Sequence, residues 1–392
     1  MVTLSLLLKA GHTVEIIRRL APQFEAQHGI SLNIEVASEN EAYGRLVSGK
    51  DLPDVCTVPY WYVAEMVEAG SLSPLIAKNF PGESHPTATA ALTYKNQLWG
   101  IPHTLTGGTC YRRNDSIPLS TESPNATFED FLVTWDSLIE SGQSLAIRAS
   151  ADFSSAETYR GLAHAAGLDL FADDVASNFE SFEKGLWPIL SRLRQQPARL
   201  TSLGYVAMGD LLPSGSATMM FDTSAWATIY GQDENLEGSL SLGPIGGANS
   251  AQFLYAEGLG ISSSCANQDA ANALIAWRQS DTVLKEEVTS LNRIDFPRLD
   301  LQQKEWFKEQ VGWGFNSRVF AEVLRSWGQI APNYPVRGSG FVVWGRRLME
   351  GVRNTIDGPS MSSSQAFDQH FTPKHSPLPP PPGKSSWKLR QR

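Results

Sequence analysis

Cysteine is scarce in this chain. Three in 392 residues, at positions 56, 110 and 265, with no C-x-x-C, exclude a disulfide scaffold and any standard zinc knuckle. Three buried thiols, or one disulfide with a free thiol, are what remain. Long apolar runs are missing too: no stretch approaches the ~18 residues that cross a bilayer. Basic charge is not in excess. The formal net charge of −9 argues against nucleic acid or an anionic membrane as partner. Catalytic signatures are absent: no G-x-S-x-G elbow, no G-x-x-x-x-G-K-[ST] loop and no H-E-x-x-H. GLGISS (258–263) lacks the final glycine of a dinucleotide fingerprint. The seven histidines are scattered, none at metal-ligand spacing from another. No metal and no cofactor is expected, and an enzyme is disfavoured.

The apolar fraction, 42% against 19% charged residues, is that of a globular protein, and the length suggests two domains. Eleven tryptophans are many, since an indole must pack or bind something flat. The N-terminal run MVTLSLLLKAG has a short apolar centre and no basic start. It reads as a first strand, with any export leader already removed.

The first hundred residues alternate strand and helix. Leu4–Leu8, 31–36 and 54–58 read as strands, separated by helices over 14–28 and 39–48. A further helix over 60–69 closes at Gly70. This is the grammar of an open parallel sheet. Later, 127–142 is an amphipathic helix capped by Thr127, and helices follow over 156–166, 178–195, 267–279 and 281–291. Strands are expected over 217–222, 239–247 and 258–262. The last 21 residues, from Thr372, hold six prolines and five Lys or Arg, a composition that gives a disordered, polyproline-like tail.

Ligands of open parallel sheets sit outside the carboxyl ends of the strands. Three loops meet that condition: KAGHT (9–13), ASEN (37–40) and PYWY (59–62). They nominate His12, Glu39, Tyr60 and Trp61, against ordinary capping, solvent or packing roles for the same side chains. On a helix starting near residue 60, Tyr60 shares a face with Val63, Ala64 and Val67. Trp61 shares one with Glu65 and Glu68 and is expected to stand clear of its own core. Such a rim suits a polyhydroxylated ligand, whose C–H faces pack on rings while its hydroxyls need paired donors and acceptors.

GHTVEIIRRLAPQFEAQHGISLNIEVAS, PDVCTVPYWYVAEMVEAGSLSPL and ALTYKNQLWGIPHTLTGGTCYRRND resemble the extracellular solute-binding proteins of ABC importers, of the maltose-binding-protein-like group. ATMMFDTSAWA (217–227) and APNYPVRGSGFVVW (331–344) agree with it. The resemblance implies an α/β fold: a two-lobed type II periplasmic clamp, each lobe an open α/β sheet flanked by helices, joined by several hinge crossovers. Lobe 1 is expected over 1–111 and about 258–300, lobe 2 over 112–257 and about 312–370. It further implies a monomer, periplasmic or extracellular, with lipid anchoring left open. Such a protein captures a carbohydrate or polyol by hinge closure and delivers it to a membrane permease. A charged solute (sugar phosphate, glycerol phosphate or polyamine) in the same clamp is the alternative, and an enzyme on the same fold the more distant one.

The resemblance also carries over residues. Trp226 matches the position whose indole stacks on a sugar, and Phe341 an aromatic from the other lobe. Arg337 shares its loop, Thr106 lies on the strand entering the first crossover, and Phe153 sits where an aromatic enters from the second lobe. Asp222 either supports the Trp226 turn or touches ligand. Core packing is the competing reading for Trp226, Phe341 and Phe153, as it is for Trp313 and Trp344.

Overall fold

The computed structural model covers residues 2–114, 127–168, 170, 178–230, 236, 240–245, 251, 253–291, 293–311, 314–328, 330 and 340–371. Arg337, Trp313 and the tail from 372 lie outside the described residues. The chain forms two compact units. The first takes its described residues from Met1–Leu105 and Tyr255–Phe320, the second from Thr106–Leu254, Ala321–Ile330 and the segment beginning at Gly340.

Twelve strands, β1 to β12 in chain order, occur among the described residues. In the first unit β1 (Val2–Lys9) lies between β2 (Ile30–Ala37) and β3 (Val55–Pro59), parallel to both. Leu4, Leu6, Leu7 and Leu8 of β1 are buried, as a central parallel strand requires, whereas β2 alternates like an edge strand. β4 (Leu72–Ser73) continues the sheet beyond β12 (Tyr255–Ser262). A tight hairpin joins β5 (Thr93–Tyr94) to β6 (Gln97–Leu98) through Lys95 and Asn96, both at positive φ as a two-residue primed turn demands. β7 (Ile101–Thr106) pairs with β12.

The sheet is mixed, not wholly parallel as the strand–helix alternation suggested: β12 runs antiparallel to β3 and β4. Its glycines let neighbouring backbone come close. A Cβ on Gly258 would stand 2.7 Å from the Ile101 carbonyl oxygen, and one on Gly260 2.8 Å from that of Trp99.

Helix His12–His28 packs Val14, Ile16, Ile17, Leu20 and Phe24 inward and ends at Gly29, in the left-handed conformation. Helix Glu39–Ser48 starts from a capping box: the Ser38 hydroxyl accepts from the Glu41 N–H, and the Glu41 carboxylate accepts from the Ser38 N–H. The expected helix over 60–69 is instead a 3-10 turn, Tyr60–Tyr62, followed by an α-helix, Val63–Glu68. The tighter turn rotates the three aromatics away from the positions that a 3.6-residue period gives them.

The second unit holds a four-stranded sheet ordered β11–β8–β10–β9. Its strands are β8 (Gly108–Arg113), β9 (Leu145–Ile147), β10 (Met219–Thr223) and β11 (Leu240–Gly243). β8 is antiparallel to β10 and β11, and β10 is parallel to β9. Helix Phe128–Glu140 is capped reciprocally by Thr127 and Asp130, and buries Phe128, Phe131, Trp135 and Leu138. The helix expected over 178–195 is interrupted by a π turn, Phe182–Leu186, just before Pro188. Proline has no N–H to continue the ladder, and a wider turn absorbs the defect. Helix Phe341–Asp357 approaches the 153–156 segment through Gly345, where a Cβ would stand 3.1 Å from the Phe153 carbonyl oxygen. All three cysteines are buried, and none is in a disulfide.

Candidate ligand-binding site

In the first unit, β1, β2 and β3 run parallel, so Lys9, Glu39 and Tyr60 follow carboxyl ends along one edge. β12 runs the other way and sets Glu257 opposite Pro59, which brings its first residues to that same edge. The result is a compact cluster. The Lys9 ammonium lies 3.3 Å from Glu39 Oε2 and 3.2 Å from Glu257 Oε2. It donates to the Tyr255 hydroxyl and sits 4.4 Å from the centre of that ring. Burial works against the charge on Lys9, but Glu257 and Glu39 outweigh it and hold the ammonium protonated above its ordinary range.

Trp61 packs against the Tyr255 ring at 5.0 Å and against Tyr60 at 5.5 Å, and Tyr62 stacks on Tyr43 at 4.0 Å. Behind Glu257 lies His103, with Nε2 3.6 Å from Glu257 Oε1 and Nδ1 3.2 Å from the Thr13 hydroxyl. Burial first, then the cations Arg278, Arg293 and Lys9, push His103 well below its usual range. Its imidazole is therefore neutral near pH 7, and the contact with Glu257 is no ion pair. Arg293 backs this corner: its guanidinium is held by Glu287 at 2.7 Å and Asp295 at 2.6 Å, and donates to the His103 carbonyl oxygen at 2.8 Å.

In the second unit, Asp222 near the end of β10 organises a different group. Its carboxylate receives Arg148 in a fork, Nε to Oδ2 at 2.8 Å and Nη2 to Oδ1 at 2.5 Å. The Trp226 indole N–H also donates to Oδ2, at 3.3 Å. Tyr205 lies against the Trp226 ring at 4.5 Å, tilted by 33°, and Arg148 lies 4.7 Å over the Tyr205 ring and 5.1 Å over Phe253. Tyr205 is 41% exposed, whereas Trp226 is 6% exposed. The loop before helix Ser155–Ala165 gathers hydroxyls, with Ser150 and Ser154 both donating to Asp152.

Each unit thus offers rings for C–H faces beside fixed donors and acceptors. Among the described residues no group of three or more His, Cys, Asp or Glu could hold a metal ion, and no helix is long and apolar enough to cross a membrane. Residues 19–312 match the family described as bacterial extracellular solute-binding protein. The chain belongs to that family. No curated protein matches the solute-binding chain by sequence.

Solved structures share the fold of this solute-binding protein at low identity. An ABC transporter solute-binding protein from Agrobacterium vitis S4, with bound D-mannitol, is 16% identical, with a TM-score of 0.76, covering 95% of this chain and 97% of its own. One from Thermotoga lettingae TMO, bound with alpha-D-tagatose, is 17% identical, with a TM-score of 0.76 and coverage of 95% and 98%. Maltose-bound MalE3 of T. maritima is 16% identical, with a TM-score of 0.74 and coverage of 94% and 97%.

Of the residues nominated from the sequence, Glu39, Tyr60 and Trp61 come together in the first unit, and Asp222 and Trp226 in the second. His12 is exposed at the first position of its helix, while the next residue, Thr13, is the one turned to His103. Trp61, expected to stand clear of its own core, is only 4% exposed, because the 3-10 turn points it at Tyr255. Thr106 is buried, and its hydroxyl oxygen has no hydrogen-bond partner among the described residues. Phe153 and Phe341 are buried, Phe341 against Trp344 at 5.3 Å. Arg337 lies outside the described residues.

Sequence reasoning missed Lys9, Tyr255, Glu257, Arg148 and Tyr205. Lys9 stood in a loop already singled out. Glu257, a carboxylate inside the apolar strand β12, is the kind of residue that needs a partner when buried, and that was its signal.

Proposed function

We propose that this solute-binding protein is the receptor of an ABC importer. It takes up a carbohydrate or polyol, closes on it by hinge bending and passes it to a membrane permease. It works as a monomer in a periplasm or at a cell surface, and makes and breaks no bond. The observation that carries the ligand class is the edge built by Lys9, Glu39, Tyr60, Trp61, Tyr255 and Glu257. Aromatic faces stand there beside charged groups already paired with each other, so hydroxyls find donors and acceptors without a large net charge. The mannitol, tagatose and maltose bound by proteins of the same fold support this reading.

A cationic solute is the second reading, because two carboxylates there face one ammonium. A thermal-shift screen against sugars, polyols and amines decides between them. A ligand at about 100 times its dissociation constant stabilises by about 2.7 kcal/mol. Stabilisation by a polyol or sugar, insensitive to ionic strength, is the expected result. Stabilisation by amines alone, fading with salt, overturns it.

A further inference from the structure

The cluster at the end of β1 has the parts of an ammonium receptor. Glu39 at the start of one helix and Glu257 in β12 place carboxylate oxygens within 3.3 Å of a single nitrogen. The Tyr255 ring lies 4.4 Å from that nitrogen, and Trp61 braces the ring at 5.0 Å. Carboxylates beside a π face are how proteins hold alkylammonium ions. The occupant is the chain's own Lys9. Its side chain is 27% exposed and that of Glu39 22%, so solvent reaches the niche. His103, beside Glu257, is neutral and adds no second cation, and the Tyr255 hydroxyl donates to Glu257.

We propose that Lys9 is a tethered occupant of an ammonium niche and sets the selectivity of this face. With Lys9 in place, a solute bearing a primary ammonium finds its position filled and its counter-charges neutralised. Without Lys9, the same carboxylates and ring bind such a solute. A ligand must displace an ammonium held at very high local concentration by its own backbone, a competition that free amines lose. Hydroxyls do not need to displace it, because they donate to carboxylate lone pairs not turned to Lys9 while its N–H groups stay with Glu39, Glu257 and Tyr255. The inference rests on this edge being the solute-facing edge of the proposed carbohydrate receptor. It deepens that reading by naming what turns amines away.

Lys9→Ala removes a fragment the size of propylammonium, which makes propylammonium chloride the probe. The melting temperatures of the wild type and Lys9→Ala are followed against propylammonium, with equal sodium chloride and 1-propanol as controls. Lys9→Ala is expected to gain stability from propylammonium beyond both controls, at a concentration at least about tenfold below any effect on the wild type. Adding Glu257→Gln to it should weaken the amine effect by about tenfold, as for loss of one charged partner. No amine-specific gain in Lys9→Ala, or an equal gain in the wild type, overturns the proposal. Should Lys9→Ala fold poorly, its folded yield on refolding in propylammonium against sodium is the readout, and equal yields overturn it. No carbohydrate enters these measurements. Their failure is therefore distinct from a failed polyol screen on the wild type.

Discussion

The Trp226 indole N–H is bonded to the Asp222 carboxylate at 3.3 Å, four residues back along the chain. The same carboxylate holds the Arg148 guanidinium, so the ring's orientation is tied to a buried ion pair. Asp222 and Arg148 are both buried, and a buried charge that loses its partner is costly. Asp222→Asn should therefore destabilise the protein by about 3–5 kcal/mol. Trp226→Phe, which keeps a ring but loses the N–H donor and part of the indole's volume, should cost less, about 1 kcal/mol through the hydrogen bond and about 1 kcal/mol through the space left. Urea unfolding of the two variants checks this, and equal losses would show that Asp222 matters only to the indole.

Gly209 lies against the same indole ring. A Cβ added there would lie 2.6 Å from the Trp226 ring, at Cζ3. The Gly209 backbone is helical, so alanine fits the local conformation and the clash falls wholly on the ring. Gly209→Ala should cost about 1–3 kcal/mol as an overpacked contact. It should also shift the tryptophan emission, which Gly209→Ala in a Trp226→Phe background should not do.

Cys56, Cys110 and Cys265 are buried and outside any disulfide, and burial pushes the Cys56 thiol up to about 12 and that of Cys265 up to about 11. A buried thiol that stays protonated is a poor nucleophile. The native protein should react with a disulfide reagent at a small fraction of the rate seen in denaturant, where all three thiols should titrate. A fast native phase equal to one thiol would overturn the assignment for Cys265, the one that burial raises less.

Much of this architecture is legible in local pattern. Leu4 to Leu8, the Thr127–Asp130 cap and Gly29 each carry their signal within a few residues, because strand burial, capping and helix termination are local physics. The proposed binding edge is only half legible. KAGHT, ASEN and PYWY point to one common edge of the sheet because parallel strands all end there. Which side chain of each loop turns inward depends on partners far away in sequence. Lys9 is fixed by Glu257, nearly 250 residues on, and Thr13 by His103. The run YWY misled for a different reason. A helical period was applied to three residues that form a 3-10 turn, where each residue advances by about 120° and not about 100°, so the faces that period assigned to the rings do not hold.

That correction changes what Trp61 is expected to do. A ring 4% exposed, braced between Tyr60 and Tyr255, contributes first to packing. Trp61→Ala should cost about 3–5 kcal/mol, as for other large aromatics removed from a core. Trp61→Phe should restore most of that loss. A Trp61→Ala variant with unchanged stability would return Trp61 to a purely ligand-facing role.

His103 gives the first unit a pH dependence of definite sign. Its side chain faces Thr13, Thr104 and Glu257, with the Arg293 guanidinium on its carbonyl oxygen and Lys9 beyond Glu257, and burial with the nearby cations disfavours its protonated form. The unfolded chain returns His103 to about pH 6.5. Below that pH the unfolded state takes up a proton that the folded state refuses, so protons favour unfolding. The stability that His103 supports is fully present above about pH 6.5 and falls as the pH drops, by up to about 1.4 kcal/mol per pH unit. Carboxylates titrating in the same range act on the wild type and a variant alike, and cancel in the difference. His103→Gln cannot take the proton and should lose less stability than the wild type between about pH 7 and pH 5, by urea unfolding at each. Parallel losses in the two proteins would mean that His103 charges freely in the folded state, against its buried position between Arg278, Arg293 and Lys9.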